Sequence, residues 1–312
     1  MTFETTMTDT AFPTIARFEA TMARVAPFMA GAVDKGRARF GRAWEEAFEE
    51  FLARFFGGDD AAMELAARGY VGFSLEMAKL QKRFERERVY AAKTYAEAAA
   101  QVYHNEEYVN ALYAPGILLS HYLWPHYFSQ LRWFHARFAP LVREAADRRF
   151  CEVGVGSGFY SRQMLSLAPD VRGHAFDISA HSLDYTARHL ERFGLRDRWA
   201  GTLRDVIAAP PPAGSPDEAW PFIVSADVLE HLEDPPAFLR SLRRMLRPGG
   251  RGFIATVITS ANTDHIYLYN SWEEIRDQLT DAGFRVLDHQ EDIAYEPKAD
   301  EPVPRLAAFI VT

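Results

Sequence analysis

Hydrophobic positions follow two different rhythms along this chain. From about Ala11 to Val142 they recur at steps of three and four. Phe40, Trp44, Phe48, Phe51, Leu52 and Phe55 fall on one stripe, the pattern of a helix with a core-facing side. Gly57-Gly58-Asp59-Asp60 comes next, two helix-stopping glycines followed by carboxylates able to cap a new helix. Ala61 to Ala100 is rich in Ala, Glu, Lys, Leu and Arg, all good helix formers. Pro115-Gly116 predicts a break, with helix resuming towards Arg143. Nothing in this half alternates with period two over a useful length. It reads as an all-helical domain of about four to six helices, spanning residues 1–140.

From Arg148 the rhythm changes to short apolar runs separated by helical stretches. The runs are Phe150 to Val155, Val171 to Phe176, Pro221 to Ala226, Gly252 to Val257, Phe284 to Asp288 and Arg305 to Val311. Such spacing predicts βαβ units, hence an α/β domain with a mostly parallel sheet over residues 141–312. The first run is apolar on both faces, as a central parallel strand should be. Pro210-Pro211-Pro212-Ala213-Gly214-Ser215-Pro216 suits neither helix nor central strand and predicts a surface loop between the third and fourth strands.

Bulk properties narrow the field. At 312 residues, with 48% hydrophobic and 25% charged positions, the chain matches an ordinary globular protein of one large or two ordinary domains. A formal net charge of −8 argues against a polyanion partner. Lys79, Lys82, Arg83, Arg86, Arg88 and Lys93 form the densest basic cluster, and Glu85 and Glu87 interrupt it, which suits a solvated helix face. The expectation is therefore no nucleic acid. Met1 to Ala20 carries polar and acidic residues and reads as neither signal peptide nor membrane span; no membrane is expected as a partner. The single cysteine, Cys151, excludes an intrachain disulfide and a cysteine-based zinc site, and agrees with a cytoplasmic location.

The strongest local signal is Glu152-Val153-Gly154-Val155-Gly156-Ser157-Gly158, between an apolar strand and the helical stretch Phe159 to Leu167. Glycines at a strand-to-helix turn let backbone approach a ligand and expose amides at a helix start. A dinucleotide site wants G-x-G-x-x-G, but here the third glycine comes one residue early and Phe159 stands in the pattern's last place. Glu152 would repel a pyrophosphate and attract an ammonium group, so a ligand with a cationic amino-acid end fits better. A tight turn without a ligand is the alternative. At the end of the second strand, in Ala175-Phe176-Asp177-Ile178-Ser179, the Asp177 carboxylate can accept hydrogen bonds from both hydroxyls of a ribose. Its alternative duty, capping the next helix, is one that Ser179 already offers.

These residues closely resemble the nucleotide-binding motifs of the class I S-adenosylmethionine-dependent methyltransferases. The E-x-G-x-G-x-G loop matches that family's first motif and Asp177 its ribose-binding acid. Ser225-Ala226-Asp227-Val228-Leu229-Glu230-His231-Leu232 and Leu246-Arg247-Pro248-Gly249-Gly250 continue the likeness in the same order, over about 150 residues. The resemblance implies a doubly wound, seven-stranded sheet whose last strand, Arg305 to Val311, runs antiparallel on the edge side. It implies S-adenosyl-L-methionine as cofactor and S-adenosyl-L-homocysteine as product. Glu152, Gly154, Gly156 and Gly158 would surround the amino-acid part, and Asp177 with Ile178 the ribose. Asp205 and Val206 would lie near the adenine, Asp205 otherwise being a solvated loop acid. Asp227 would lie near the methionine portion. Transfer is then an in-line displacement in which alignment and desolvation are the protein's main tasks.

A base is needed only if the acceptor carries a proton that must leave. His231 after the fourth strand and His265 after the fifth both sit at carboxyl ends of strands and are the catalytic candidates; pocket shaping and plain loop duty are the alternatives. In the helical half, Tyr103 to Tyr108 and Ser120 to Tyr127 concentrate aromatics and hydrogen-bonding groups. Tyr103, His121 and Tyr127 are the candidate acceptor-binding residues, in a segment that closes over the site or else forms core or a homodimer interface. His121 and His126 are poorly spaced for one helix face, so no metal is expected. The function expected is methyl transfer to oxygen, nitrogen or carbon of a small-molecule acceptor in specialised metabolism. Aminopropyl transfer, cyclisation, decarboxylation or a non-catalytic binding role on the same fold are the rivals.

Overall fold

The computed structural model describes residues 11–91, 93–210, 212, 219–297 and 302–312. Most of the proline-rich stretch read above as a surface loop, Pro211 and 213–216, lies outside the described residues.

The first half is helical throughout. α1 (Pro13–Val25), α2 (Ala32–Phe40) and α3 (Arg42–Phe56) lead to the long α4 (Asp60–Glu87), followed by α5 (Tyr95–Gln101). α6 (Glu106–Tyr108) runs through a π-helical turn, Val109–Tyr113, into α7 (Ala114–Leu123). α8 (Pro125–Trp133) runs through a second such turn, Phe134–Phe138, into α9 (Ala139–Glu144). That is nine α-helical segments among the described residues of this half, besides a short 3₁₀ turn at Pro27–Met29, and more than expected, because glycines and prolines divide the pattern more finely. Gly41, at φ +58°, separates Phe40 from the rest of the predicted stripe, and Trp44, Phe48, Phe51, Leu52 and Phe55 are buried on α3. Gly57 ends α3 in the left-handed conformation, and the Asp59 carboxylate accepts from the Ala62 amide to start α4.

At Pro115 the expected break is absent. A proline lacks the amide that an α-helix would use, and the widened turn before it absorbs that loss without interrupting the rod. Gly116 serves another purpose. A Cβ there would come within 2.5 Å of Phe73, and one on Gly69 within 2.4 Å of the Ala111 carbonyl oxygen. The two glycines let α4 and α7 lie against each other. α4 stops at Arg88, which takes φ +58°, so the helix-rich composition up to Ala100 is split. α5 then begins with a reciprocal capping box between Thr94 and Glu97.

The second half is a seven-stranded sheet in the order β3-β2-β1-β4-β5-β7-β6. Its strands are β1 (Arg149–Val153), β2 (Arg172–Asp177), β3 (Trp199–Leu203), β4 (Trp220–Ala226), β5 (Leu246–Ile258), β6 (Val286–Ile293) and β7 (Arg305–Val311). The first five are parallel, and β7 is antiparallel to both β5 and β6. β7 stands one place in from the edge, and β6 is the edge itself. β6 also runs further than the apolar run Phe284 to Asp288 suggested. It is half exposed along its length, so its later residues, Glu291 and Asp292 among them, read as polar.

Helices α10 (Phe159–Leu165), α11 (Ala180–Arg192), α12 (Pro235–Met245) and α13 (Trp272–Asp281) cover the sheet. Alternate strand residues feed two cores. Phe150, Phe222, Val224 and Phe253 pack with α10 and with the helical half, in a cluster that reaches back to Ile15 and Phe18. Cys151, Val153, Ile223 and Ile254 pack with α12 and α13. The helical half therefore shares its core with one face of the sheet. No helix among the described residues is long and apolar enough to cross a membrane.

Candidate active site

Strand order reverses at β1, between β2 on one side and β4 on the other, and a crevice forms beyond the carboxyl ends of strands at such a point. A cavity, partly open to solvent, lies there. The sheet loops form its floor, and Tyr95, Tyr103, Tyr113, Ile117 and His121 of the helical half form its roof.

The three loop glycines have positive φ: +78° at Gly154, +51° at Gly156 and +74° at Gly158. Their surroundings separate their duties. A Cβ on Gly154 would come within 2.4 Å of Val228, and one on Gly158 within 2.6 Å of Thr186, whereas one on Gly156 would meet nothing within 4 Å. Gly156 is the bare backbone facing the cavity. Gly154 leaves room for Val228 in its wall. Gly158 does not line the cavity and instead lets α10 pack on α11.

Glu152 is 3% exposed, and its carboxylate accepts from the Ser161 hydroxyl on α10. Burial pushes its pKa up to about 8, and no positive charge among the described residues opposes that. Asp177 ends β2 with one oxygen accepting from the Gly156 amide at 3.2 Å and the other from the Ser179 amide at 2.8 Å. It ties the glycine loop to the start of α11 while lining the cavity. Burial raises its pKa despite these bonds. Ser179 supplies the helix cap, accepting from the Ser182 amide at 3.1 Å. Ile178, Asp205 and Val206 line the same side. Asp205 also accepts from the Ile207 and Ala208 amides, so it shapes its own loop. Tyr95 closes this end, near enough to Asp205 and Asp177 that, after burial, their charges hold its hydroxyl protonated.

The opposite wall follows β4. Asp227 takes φ +55°, unusual for a non-glycine residue, and lines the cavity with His231. His231 Nδ1 lies 3.2 Å from the Asp264 carbonyl oxygen and 3.4 Å from its carboxylate. Asp264 is wholly buried, and its Oδ2 accepts from the hydroxyls of Tyr103 and Tyr113, each at 2.9 Å. Burial opposes its ionisation, but His231, His265 and the two hydroxyls outweigh it and hold its carboxyl below the ordinary value. The helical half clamps the loop carrying Asp264. Gln81 donates to the Thr259 carbonyl, Tyr90 to that of Ser260 and Lys93 to that of Thr263. Tyr103 is held in turn, its carbonyl accepting from the Ser179 hydroxyl.

Of the residues singled out from sequence, Glu152, Gly154, Gly156, Asp177, Ile178, Asp205, Val206, Asp227, His231, Tyr103 and His121 meet around one cavity. His265 stands behind His231, ring centroids 5.0 Å apart, with Nδ1 2.6 Å from the Ser260 carbonyl oxygen. His121 stacks on Phe159 at 3.7 Å, and burial lowers its pKa to about 3. Tyr127 is displaced from the roof: it packs with Val257 and Leu306 below, its hydroxyl beside Asp227. Sequence reasoning passed over Tyr95, Tyr113, Glu230 and Asp264. Glu230 lay inside a quoted motif, as Asp264 lay beside His265, but nothing in their spacing shows what they face.

A family profile described as a methyltransferase domain matches residues 151–251. The chain is 35% identical over 119 residues to a ubiquinone biosynthesis O-methyltransferase of Parvibaculum lavamentivorans, covering 38% of this chain and 44% of that protein. It is 25% identical over 157 residues to a malonyl-[acyl-carrier protein] O-methyltransferase of Hahella chejuensis, covering 46% and 53%. The chain thus spans about half the length of these curated relatives. Among solved structures, phosphoethanolamine N-methyltransferase 2 of Haemonchus contortus aligns over 71% of this chain and 60% of its own at a TM-score of 0.51 and 14% identity, a likeness of fold. Residues 151–251 are a methyltransferase domain, set in the fold of the class I S-adenosylmethionine-dependent methyltransferases.

Proposed function

We propose that the chain transfers a methyl group from S-adenosyl-L-methionine to a small-molecule acceptor, releasing S-adenosyl-L-homocysteine. One observation carries this reading: a buried carboxylate without a cation, a cavity-facing glycine backbone and a ribose-competent carboxylate converge on one space. Glu152 would take the cofactor's ammonium group, Gly156 its backbone contact, and Asp177 its ribose hydroxyls. Asp205 and Val206 would border the adenine and Asp227 the methionine portion. The cofactor supplies a methyl group on a positively charged sulfur. The protein's own contribution is to align the acceptor and exclude water, and the aromatic roof over the cavity suits both.

The helical half, residues 1–140, serves as acceptor domain in this reading. Tyr103 and His121 line the acceptor side of the cavity. Tyr127 supports it from beneath. His231 and His265 lie on that side too, so His265→Ala should cut turnover at least tenfold while changing cofactor affinity less than twofold. Equal losses in both would assign His265 to the cofactor instead. A place in specialised metabolism, a cytoplasmic location and a homodimer through the helical half belong to the same reading. Phe28, Leu65 and Leu75, exposed there at 70%, 58% and 51%, support the last.

The test is incubation with methyl-labelled S-adenosylmethionine and a panel of hydroxylated aromatic acceptors, read by product mass. Label in an acceptor heavier by one CH₂ group, with S-adenosylhomocysteine released, is the expected result. Transfer of an aminopropyl group, or an acceptor rearranged without gain of mass, would contradict it.

A further inference from the structure

Behind the acceptor side of the cavity lies a cluster of donor atoms that methyl transfer as described does not use. Glu230, His231 and His265 each offer one donor atom within 4.8 Å of the other two, and all three are buried. Each is braced by its remaining atom. Glu230 Oε2 accepts from the Thr256 hydroxyl at 2.6 Å. His231 Nδ1 faces the Asp264 carbonyl oxygen at 3.2 Å, and His265 Nδ1 faces that of Ser260 at 2.6 Å. A ring nitrogen against a carbonyl oxygen must carry the hydrogen. In the neutral ring, Nε2 is then left with the free lone pair. An imidazole whose N–H is fixed by an oxygen while its other nitrogen stays open is the usual posture of a metal-ligating histidine. Here two rings adopt it beside one carboxylate, with His231 Nε2 3.9 Å from Glu230 Oε1.

The carboxylates supply a second and independent observation. Glu230 is 1% exposed, yet its Oε1 has no hydrogen-bond partner. On the adjoining stretch of wall Asp227 is less buried, and the Tyr127 hydroxyl stands beside its carboxylate, but its Oδ1 likewise has no hydrogen-bond partner. Burying an ionised oxygen with no donor is costly unless a cation stands by. Thr256 and the main chain hold Glu230 too firmly for it to turn to solvent: its carbonyl accepts from the amides of both Ile266 and Tyr267, at 2.7 and 2.9 Å.

We propose that Glu230, His231 and His265 bind a divalent first-row transition cation, with the Asp227 carboxylate beside it. Two imidazoles with one carboxylate suit manganese, iron, cobalt or zinc better than calcium or magnesium, which favour all-oxygen sites. His231 and Asp227 reach the cavity, so the cation's open positions face the acceptor and suit one that presents a hydroxyl or a pair of neighbouring oxygens. There the cation would orient that oxygen and ease loss of its proton. This use rests on the methyl-transfer reading, whereas the binding itself does not.

The test is titration of the full chain, stripped with a chelator, with cobalt(II), read by visible absorption. The expected result is saturation at one equivalent, with His265→Ala and Glu230→Gln each weakening uptake at least tenfold. Thr256→Val removes only the brace on Glu230 and should weaken it less, so it serves should the Glu230 variant fail to fold in thermal melting. Absence of stoichiometric uptake by the wild type, or uptake that His265→Ala leaves unchanged, would overturn the site and leave an ion-pair network in its place. Calorimetry with S-adenosylhomocysteine on the same preparations separates the two readings. Cofactor uptake without cobalt uptake removes the cation site alone. Cobalt uptake without cofactor uptake removes the methyl-transfer reading alone.

Discussion

Asp177→Ala should weaken cofactor uptake by roughly thirty- to a thousandfold while leaving a folded chain. A carboxylate accepting from two ribose hydroxyls makes two charge-assisted hydrogen bonds, and losing both costs about 2–4 kcal/mol, roughly thirty- to a thousandfold in affinity. The same carboxylate accepts from the amides of Gly156 and Ser179, so truncation also frees the glycine loop from the start of α11. Asp177→Asn separates these effects, because one amide oxygen can keep one of the backbone bonds but carries no charge. Equilibrium dialysis with labelled S-adenosylmethionine should order affinity as wild type, then Asn, then Ala. An Ala variant that binds as well as the wild type would remove Asp177 from the site.

Glu152→Gln should weaken cofactor binding at least tenfold and, unusually for a site residue, make the free protein more stable in mildly alkaline solution. Burial raises the carboxyl to about 8 in the folded chain against an ordinary value of 4.5. Below about pH 4.5 folded and unfolded chains both hold the proton, and this group takes nothing from stability. Between 4.5 and 8 only the folded chain keeps it, so the wild type loses stability as pH rises through that window. Glutamine does not titrate. The gap in stability between variant and wild type, followed by thermal melting, should therefore open across this range and level above pH 8, at on the order of 2–4 kcal/mol. An ammonium group placed beside Glu152 favours the ionised form, so cofactor binding near pH 7 should release a proton. That proton appears as a dependence of the binding enthalpy on buffer ionisation heat and should vanish in the Gln variant. Buffer-independent enthalpy in the wild type would place the ammonium group elsewhere.

How far each part could be read from the chain depends on the sequence distance over which it is built. The glycine loop, Glu152 and Asp177 belong to strand ends and the turns after them, so local pattern suffices to name them. The role of each glycine is different: only the packing of Val228 and Thr186 tells Gly154 and Gly158 from Gly156. Asp264 could not be picked out, because what defines it is two tyrosines 161 and 151 residues away along the chain. Tyr127 went the other way. It shares a polar-aromatic stretch with His121, yet α7 ends at Leu123, and Pro125 starts α8 in a new direction towards the underside of the wall. Pro115 suggested a break that a π-helical turn removes, and the polar second half of β6 hid an edge strand whose partner β7 gives it seven paired positions. Patterns of period two and 3.6 report burial. They report neither a widened helical turn nor which long-range partner a buried acid will find.

The proposed chemistry requires that the crevice beyond β1 and β2 take up an adenosyl amino acid. Titration of the wild-type chain with S-adenosylhomocysteine in a calorimeter tests this most directly. One molecule bound per chain, with affinity at least about thirtyfold weaker in Asp177→Ala, is the result that the arrangement of Glu152, Gly156 and Asp177 predicts. No heat of binding at millimolar ligand from a folded protein would contradict it.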